Sequence, residues 1–282
     1  MKTAIITDSG ANLTEEIIKK YKNLYVLPLI ILVDGAAYKD QVEIKATEVY
    51  AQLDEKEIST SLPNITELYD ALADIKKQNY DNVIIINISS GLSGTFNAFH
   101  AALSEYTDLE VFHYDSKTLA AGQGYLVEQA LELVEKETAP QEIISALDKQ
   151  RSEDSIAMYT INTLKYLKKG GRIGKVEGTI GNILHIKPVI TVNPEGVYVT
   201  LAKTFGLNRA LIKMREMLIK KFEQVKIDLT IHYGDNFEEA SSLGKMLKNF
   251  LNIRLLTVSQ LTPVLGIHTG PMMFAYVARK VE

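Results

Sequence analysis

The sequence predicts a two-domain α/β fold, with an N-terminal parallel-sheet, three-layer domain and a C-terminal mixed α/β domain. Three observations predict it. Short apolar runs alternate with longer helical patterns through the first half. One of them, Val83-Ile84-Ile85-Ile86, is apolar without a break, as in a parallel strand buried on both faces. In the second half two strand-like runs flank Asn193-Pro194-Glu195-Gly196, a hairpin signal that the first half lacks.

Taken in order, Ala4-Ile5-Ile6 reads as a strand ending in Thr7-Asp8-Ser9-Gly10, and Tyr25 to Val33 as one strand ending in Asp34-Gly35. Val83 to Ile88 ends in Ser89-Ser90-Gly91, and Glu110 to Tyr114 in Asp115-Ser116. Between these two, Phe96, Phe99, Leu103 and Tyr106 recur at the three-to-four spacing of an amphipathic helix. Leu126 to Leu133 and Pro140 to Lys149 are further helices, the second with proline in its first turn. The polar run Lys149 to Asp154 places a boundary near Ser152–Ser155, giving domains 1–154 and 155–282.

Beyond it, Ile156 to Ile161 is strand-like, and Leu164 to Lys169 is a short helix stopped by Gly170-Gly171. Pro188 to Val192 and Val197 to Ala202 form the hairpin. Leu211 to Phe222 is a helix. Strand Ile227 to Tyr233, helix Phe237 to Phe250 and strand Arg254 to Val258 continue the alternation, and Met273 to Ala278 reads as a final strand.

Composition excludes several function classes. The 282 residues are 46% hydrophobic and 23% charged, enough for a large core without staples. There is no cysteine, which removes disulfides, thiolate catalysis and thiolate metal sites and suits a cytoplasmic protein. A net charge of −4 argues against nucleic acid as a partner. Met1-Lys2-Thr3 runs straight into Ala4-Ile5-Ile6, which predicts no secretory leader, and the apolar run Leu29 to Val33 is far too short to insert stably in a membrane.

Three hydroxyl-rich turns fall at the carboxyl ends of predicted strands, where open parallel sheets bind ligands: Asp8-Ser9, Ser89 to Thr95, and Asp115-Ser116. In the middle one, Gly91 and Gly94 allow close backbone approach. Ser93 or Thr95 is placed to cap the helix opening at Phe96, and free N–H groups there suit a carboxylate or phosphate. A cap alone would explain Ser93 equally well. The turn lacks the second glycine of a hydrolase nucleophile elbow, and Gly170 to Val176 lacks the spacing and hydroxyl of a phosphate-binding loop. Histidines 100, 113, 185, 232 and 268 show no metal-site spacing. His100 and His113 read as packing or surface residues. His268 lies in Gly266-Ile267-His268-Thr269-Gly270-Pro271, which reads as a loop too rich in glycine and hydroxyl to be core, and it could donate to a carboxylate. Thr60-Ser61-Leu62-Pro63-Asn64 reads as a helix cap, and Lys165 to Arg172 as a basic helix end or a docking patch.

In this order the motifs resemble the DegV family: Thr7-Asp8-Ser9, Thr60-Ser61-x-Pro63, Ser89 to Thr95, Asp115-Ser116, Gly171-Arg172-Ile173, Lys187-Pro188 and Gly266-x-His268-Thr269-Gly270-Pro271. They span nearly the whole chain. The chain departs from typical members at Leu62, Asn64 and Met272, where they carry Gln, Ser and often Gly.

The resemblance implies a long-chain fatty acid such as palmitate, held between the two domains, with the segment near His268 returning to that site. It implies no metal, no cofactor and no catalytic residue, because the bound acid is presented to a separate ATP-dependent fatty acid kinase that makes acyl-phosphate. Carried over by motif, Thr60, Ser61, Ser93 and His268 bind the carboxylate, with Gly94, Thr95 and Thr269 as supporting loop residues. Arg172 would lie nearer the kinase-docking surface. Two other readings remain: an esterase with Ser93 as nucleophile and His268 as base, and a lipid-occupancy sensor acting on a partner protein.

Overall fold

The computed structural model describes residues 2–180 and 186–281. His185 lies outside the described residues. Strands β1 (Thr3–Asp8), β2 (Leu24–Leu27), β6 (Asn82–Asn87) and β7 (Glu110–Asp115) form a parallel sheet in the order β2-β1-β6-β7. Strands β3 (Ile30–Val33), β4 (Ala36–Lys39) and β5 (Ile58–Ser61) form a small antiparallel sheet, β4-β3-β5.

The parallel sheet is the middle of three layers, and its alternation shows why. Ala4, Ile6, Val83 and Ile85 face Leu68, Leu72, Ile75 and Phe99 from helices Ile65–Lys77 and Thr95–Leu103. Ile5, Ile84 and Ile86 face Leu126, Leu131, Ile143 and Leu147 from helices Ala121–Glu135 and Pro140–Lys149. With both faces covered, every residue of β1 and β6 is buried. In Ile65–Lys77 the fully buried Leu68, Leu72 and Ile75 sit one helical turn apart, each contributing about 2 kcal/mol. Asn64 starts that helix by accepting from Thr66 N (2.9 Å), so the cap is Asn64, while Thr60 and Ser61 end a strand.

Two further sequence expectations are corrected. Tyr25 to Val33 is not one strand: Pro28, which lacks an N–H, separates β2 from β3, and these belong to different sheets. The first half also contains a hairpin, β3–β4. Its turn residues Asp34 and Gly35 have φ of 50° and 84°, the paired positive values of a tight two-residue turn.

Strands β8 (Ser155–Ile161), β9 (Ile186–Val192), β10 (Tyr198–Phe205), β11 (Lys226–Tyr233), β12 (Asn252–Gln260) and β13 (Met273–Lys280) make one mixed sheet, ordered β10-β9-β8-β13-β11-β12. Met158, Phe274, Tyr276 and Ala278 pack under helices Leu207–Phe222 and Phe237–Leu247. The alternate residues Tyr159, Ile161, Met273 and Ala275 point the other way. They join Ile31, Val49 and Ile58 of the first half in one shared core.

Polar contacts fasten the same seam. His232, fully buried, accepts from Ala121 N at 3.1 Å through Nε2. Its Nδ1 therefore carries the proton and donates to Ser259 O (3.2 Å). Arg279 of β13 reaches Glu128 at 2.9 Å, Tyr125 O at 3.2 Å and Asp228 at 3.1 Å.

Candidate functional site

The order of the parallel sheet reverses at β1 and β6, so their carboxyl ends open a crevice. Asp8 fills the base of it. Its buried carboxylate accepts from Gly10 N (3.0 Å), Asn87 Nδ2 (3.0 Å), Ile88 N (2.8 Å) and Gln123 Nε2 (3.2 Å). Burial pushes its pKa upward against those bonds. Ser9 Oγ accepts from Leu29 N, and Asp115 accepts from Ser90 N and Lys117 N, each at 3.0 to 3.1 Å. The Asp8-Ser9 and Asp115-Ser116 turns therefore shape loops. Of the three hydroxyl-rich turns, the middle one reaches the cavity described next.

Above the crevice lies a cavity of about 170 Å³ lined by Thr60, Ser61, Ser93, Arg172 and His268 at one side, and by apolar side chains including Leu92, Leu119 and Leu265. Ile88, next to the Asp8 cluster, is part of its wall. Leu119, Tyr198 and Leu265 also line a narrower cavity of about 40 Å³, whose walls include Tyr159, Leu261, Thr269 and Met273. Thus one end is polar and the continuation is apolar.

Each polar group is brought by a different segment. Thr60 and Ser61 end β5, where Thr60 pairs with Ile31 across the small sheet. Ser93 lies just before the helix Thr95–Leu103, whose N-cap is Gly94. Its Oγ is 2.8 Å from Thr95 Oγ1 and 3.3 Å from Thr95 N, so it supports that first turn without being the cap residue. Gly91, two residues earlier, lies so close to the β9–β10 turn that a Cβ there would strike Gly196 O. Ser89 Oγ donates to that same oxygen (2.7 Å), docking the loop on the second half.

His268 sits in a helix, Pro263–Thr269, whose residues are all buried. The loop expectation is therefore corrected: Pro263 occupies the first turn, and the glycines serve close packing. Asp40, just past β4, holds the helix start, accepting from Thr262 Oγ1 (2.6 Å) and Val264 N (2.9 Å). Burial raises the Asp40 pKa to about 6. Sequence reasoning missed Asp40 altogether.

His268 Nε2 lies 3.1 Å from Thr60 Oγ1, and its buried Nδ1 has no hydrogen-bond partner among the described residues. Burial, helped by the charge of Arg172, pushes its pKa down to about 4, so the ring is neutral near pH 7. With the proton on Nε2 it donates to Thr60 Oγ1 and frees the threonine proton for a ligand oxygen. Gly170 packs against the ring, leaving no room for a side chain, since a Cβ there would collide with Nδ1.

Arg172 donates from Nη1 to Gly170 O (2.6 Å) and from Nε to Leu92 O (3.3 Å), which fixes its guanidinium in the cavity wall. It thereby joins the carboxylate-binding candidates in one lining. Gly94 is exposed beside the site and Thr95 is fully buried under it, whereas Thr269 lines the apolar continuation. Of the three departures, Leu62 lines the cavity, Asn64 caps a helix and Met272 is 42% exposed. Ser93 and His268 face the same space but take different partners, Thr95 and Thr60. Among the described residues no cluster of His, Asp and Glu suits a metal ion, and no helix is long and apolar enough to cross a membrane.

Comparison with known proteins agrees with this architecture. A DegV domain-containing protein of Clostridium acetobutylicum is 35% identical over 279 residues, covering 99% of both chains. One from Clostridium perfringens is 37% identical over 279 residues, with the same coverage. Among solved structures, a fatty-acid-binding DegV family protein from Thermus thermophilus superimposes with a TM-score of 0.91 at 26% identity, over 100% of both chains. A fatty-acid-binding DegV family protein from Streptococcus agalactiae gives 0.90 at 28%, also over 100% of both. A stearic-acid-binding protein from Eubacterium ventriosum gives 0.88 at 25%, covering 99% of this chain and 98% of that one. The family model described as "Uncharacterised protein, DegV family" matches residues 2–281, and the chain belongs to the DegV family.

Proposed function

We propose that the chain binds a long-chain fatty acid, such as palmitate, and presents its carboxylate to a separate ATP-dependent fatty acid kinase in the cytoplasm. The observation that carries this reading is one cavity with hydroxyls, a neutral imidazole and a guanidinium at one end and an apolar continuation at the other. A carboxylate leaving water needs such donors. Thr60, Ser61 and Ser93 donate hydroxyl protons, Arg172 supplies the positive charge, and His268 sets the direction of the Thr60 hydroxyl. Arg172 at the head-group end also suits contact with the kinase.

The tail sets affinity. A sixteen-carbon acid has about fourteen methylenes, worth on the order of 11 kcal/mol before immobilisation costs. Turnover by the chain itself is not part of this reading. An esterase is disfavoured because Ser93 is paired with Thr95, and His268 with Thr60.

The test is mass spectrometry of the organic extract from purified protein at known stoichiometry, for wild type and Ser93→Ala. We expect about one fatty acid per chain in the wild type and less in the variant. An extract free of lipid, from protein that also takes up no added fatty acid, would refute the reading.

A further inference from the structure

Helix Pro263–Thr269 is fastened at both ends to the same small sheet. At its start Asp40 accepts from Thr262 Oγ1 and Val264 N, and at its end His268 Nε2 meets Thr60 Oγ1. Asp40 extends β4, where its N–H donates to Leu29 O (2.9 Å), and Thr60 belongs to β5, opposite Ile31. Because β3 lies between them, the two residues sit on opposite outer strands, about 10 Å apart across the sheet. The helix from Thr262 to His268 rises about 9 Å. It therefore spans the sheet from one fastening to the other, and between them Val264 and Leu265 line the cavity.

Asp40 is 1% exposed and is not among the residues that line the cavity, so it acts on a ligand only through other groups. Burying its carboxylate is costly, as the upward push on its pKa shows. A cheaper helix start was at hand. Thr262, the residue before the helix, is of a type that caps with its own oxygen, yet it makes no such bond and its hydroxyl donates to Asp40. The backbone N–H of Thr262 goes to Asn12 Oδ1 (2.7 Å). The helix start is thus referred to the first half of the chain and is not closed on itself. About two turns of helix move as one rod, so whatever fixes the start also fixes where His268 lies.

Building on the fatty acid reading, we propose that Asp40 is a positioning residue for the carboxylate end of the cavity. It sets the helix against β4 so that His268 Nε2 meets Thr60 and turns the threonine proton toward the ligand. With the start released, the helix shifts, His268 Nε2 loses Thr60, and the threonine hydroxyl rotates freely. Polar groups that bind in concert must be held to within about 0.5 Å, and a supporting residue of this kind supplies that hold.

The experiment compares wild type with Asp40→Ala, Asp40→Asn and Thr262→Val. Palmitate affinity is read by displacement of a fluorescent fatty acid, stability by urea unfolding, and the His268 ring by its NMR signals against pH, assigned by their absence from His268→Gln. Asp40→Ala is expected to weaken palmitate binding about tenfold and Thr262→Val about threefold. In both, the His268 pKa rises from about 4 toward the usual 6.5 as the ring loses its packing. Asp40→Asn keeps an acceptor for Val264 N and a partner for Thr262 Oγ1 in the same shape, so affinity and ring signals stay near those of wild type. A merely structural Asp40 would lower the urea midpoint of Asp40→Ala and leave affinity and the His268 signals unmoved, which overturns the proposal. Lost affinity with unmoved His268 signals overturns it as well, and so does an Asp40→Asn as damaged as Asp40→Ala. If Asp40→Ala does not fold, Thr262→Val decides by the same readings. A wild type that binds no palmitate would instead remove the fatty acid reading, and this proposal with it.

Discussion

At the carboxyl ends of β1 and β6, Asp8 accepts from four donors, whereas at the cavity beside it His268 Nδ1 has no partner among the described residues. Both regions are polar, buried and assembled from distant segments. The Asp8 carboxylate has spent its hydrogen-bonding capacity on the protein around it and has none to offer a ligand. The second keeps capacity in reserve, as a binding site must, and gives up stability to do so. Polarity at a sheet edge therefore does not by itself identify a site.

The largest effect is expected from Asp8→Ala. It strands Asn87, Gln123 and the N–H groups of Gly10 and Ile88, and should cost about 4 kcal/mol in urea unfolding. A cost under about 1 kcal/mol would mean that the cluster is not the structural element described.

His232 comes next, as the fully paired histidine of the seam. Its folded pKa of about 4 lies below the usual 6.5, so the unfolded chain takes up a proton that the folded chain refuses. Stability should thus fall as pH drops from about 6.5 to about 4, by roughly 3 kcal/mol for this one group. Asp40, raised to about 6, acts in the opposite sense over an overlapping window, but equally in wild type and variant. The difference between wild type and His232→Gln, followed by chemical denaturation against pH, isolates the histidine. Parallel curves would show that His232 does not carry it.

The smallest effect is expected at the cavity. Thr60→Val keeps the shape of β5 and removes one donor from the reserve. Fatty acid affinity should drop by about 1.5 kcal/mol, close to tenfold, with unfolding stability lowered by about 1 kcal/mol because His268 Nε2 loses its partner. Loss of stability with affinity unchanged would make Thr60 a structural residue like Asp8.

Regular elements were readable where a local pattern announced them. The uninterrupted Val83 to Ile86 run and the alternation around it lead directly to β6 and its layers. Errors arose where one residue outweighed a pattern. Pro28 breaks the Tyr25–Val33 run, Asp34-Gly35 makes a hairpin, and Pro263 starts a helix where glycine and hydroxyl content suggested a loop. Thr60, Ser61, Ser93 and His268 were singled out from their motifs, and the fold brings all four to one cavity. Asp40 and the inward placement of Arg172 had no local signature. Asp40 matters through Thr262 and Val264, more than two hundred positions away, and no window along the chain holds both ends of that contact.

The hydrogen bond between Thr60 and His268 joins positions 208 apart in sequence. Contacts of such span form late, because closing a long loop costs entropy before it is rewarded. During synthesis the three-layer half can fold as soon as it emerges, domain first. The cavity cannot, since its imidazole follows its threonine by 208 positions. Until His268 emerges, a chain still being made would own a finished sheet and an unfinished cavity.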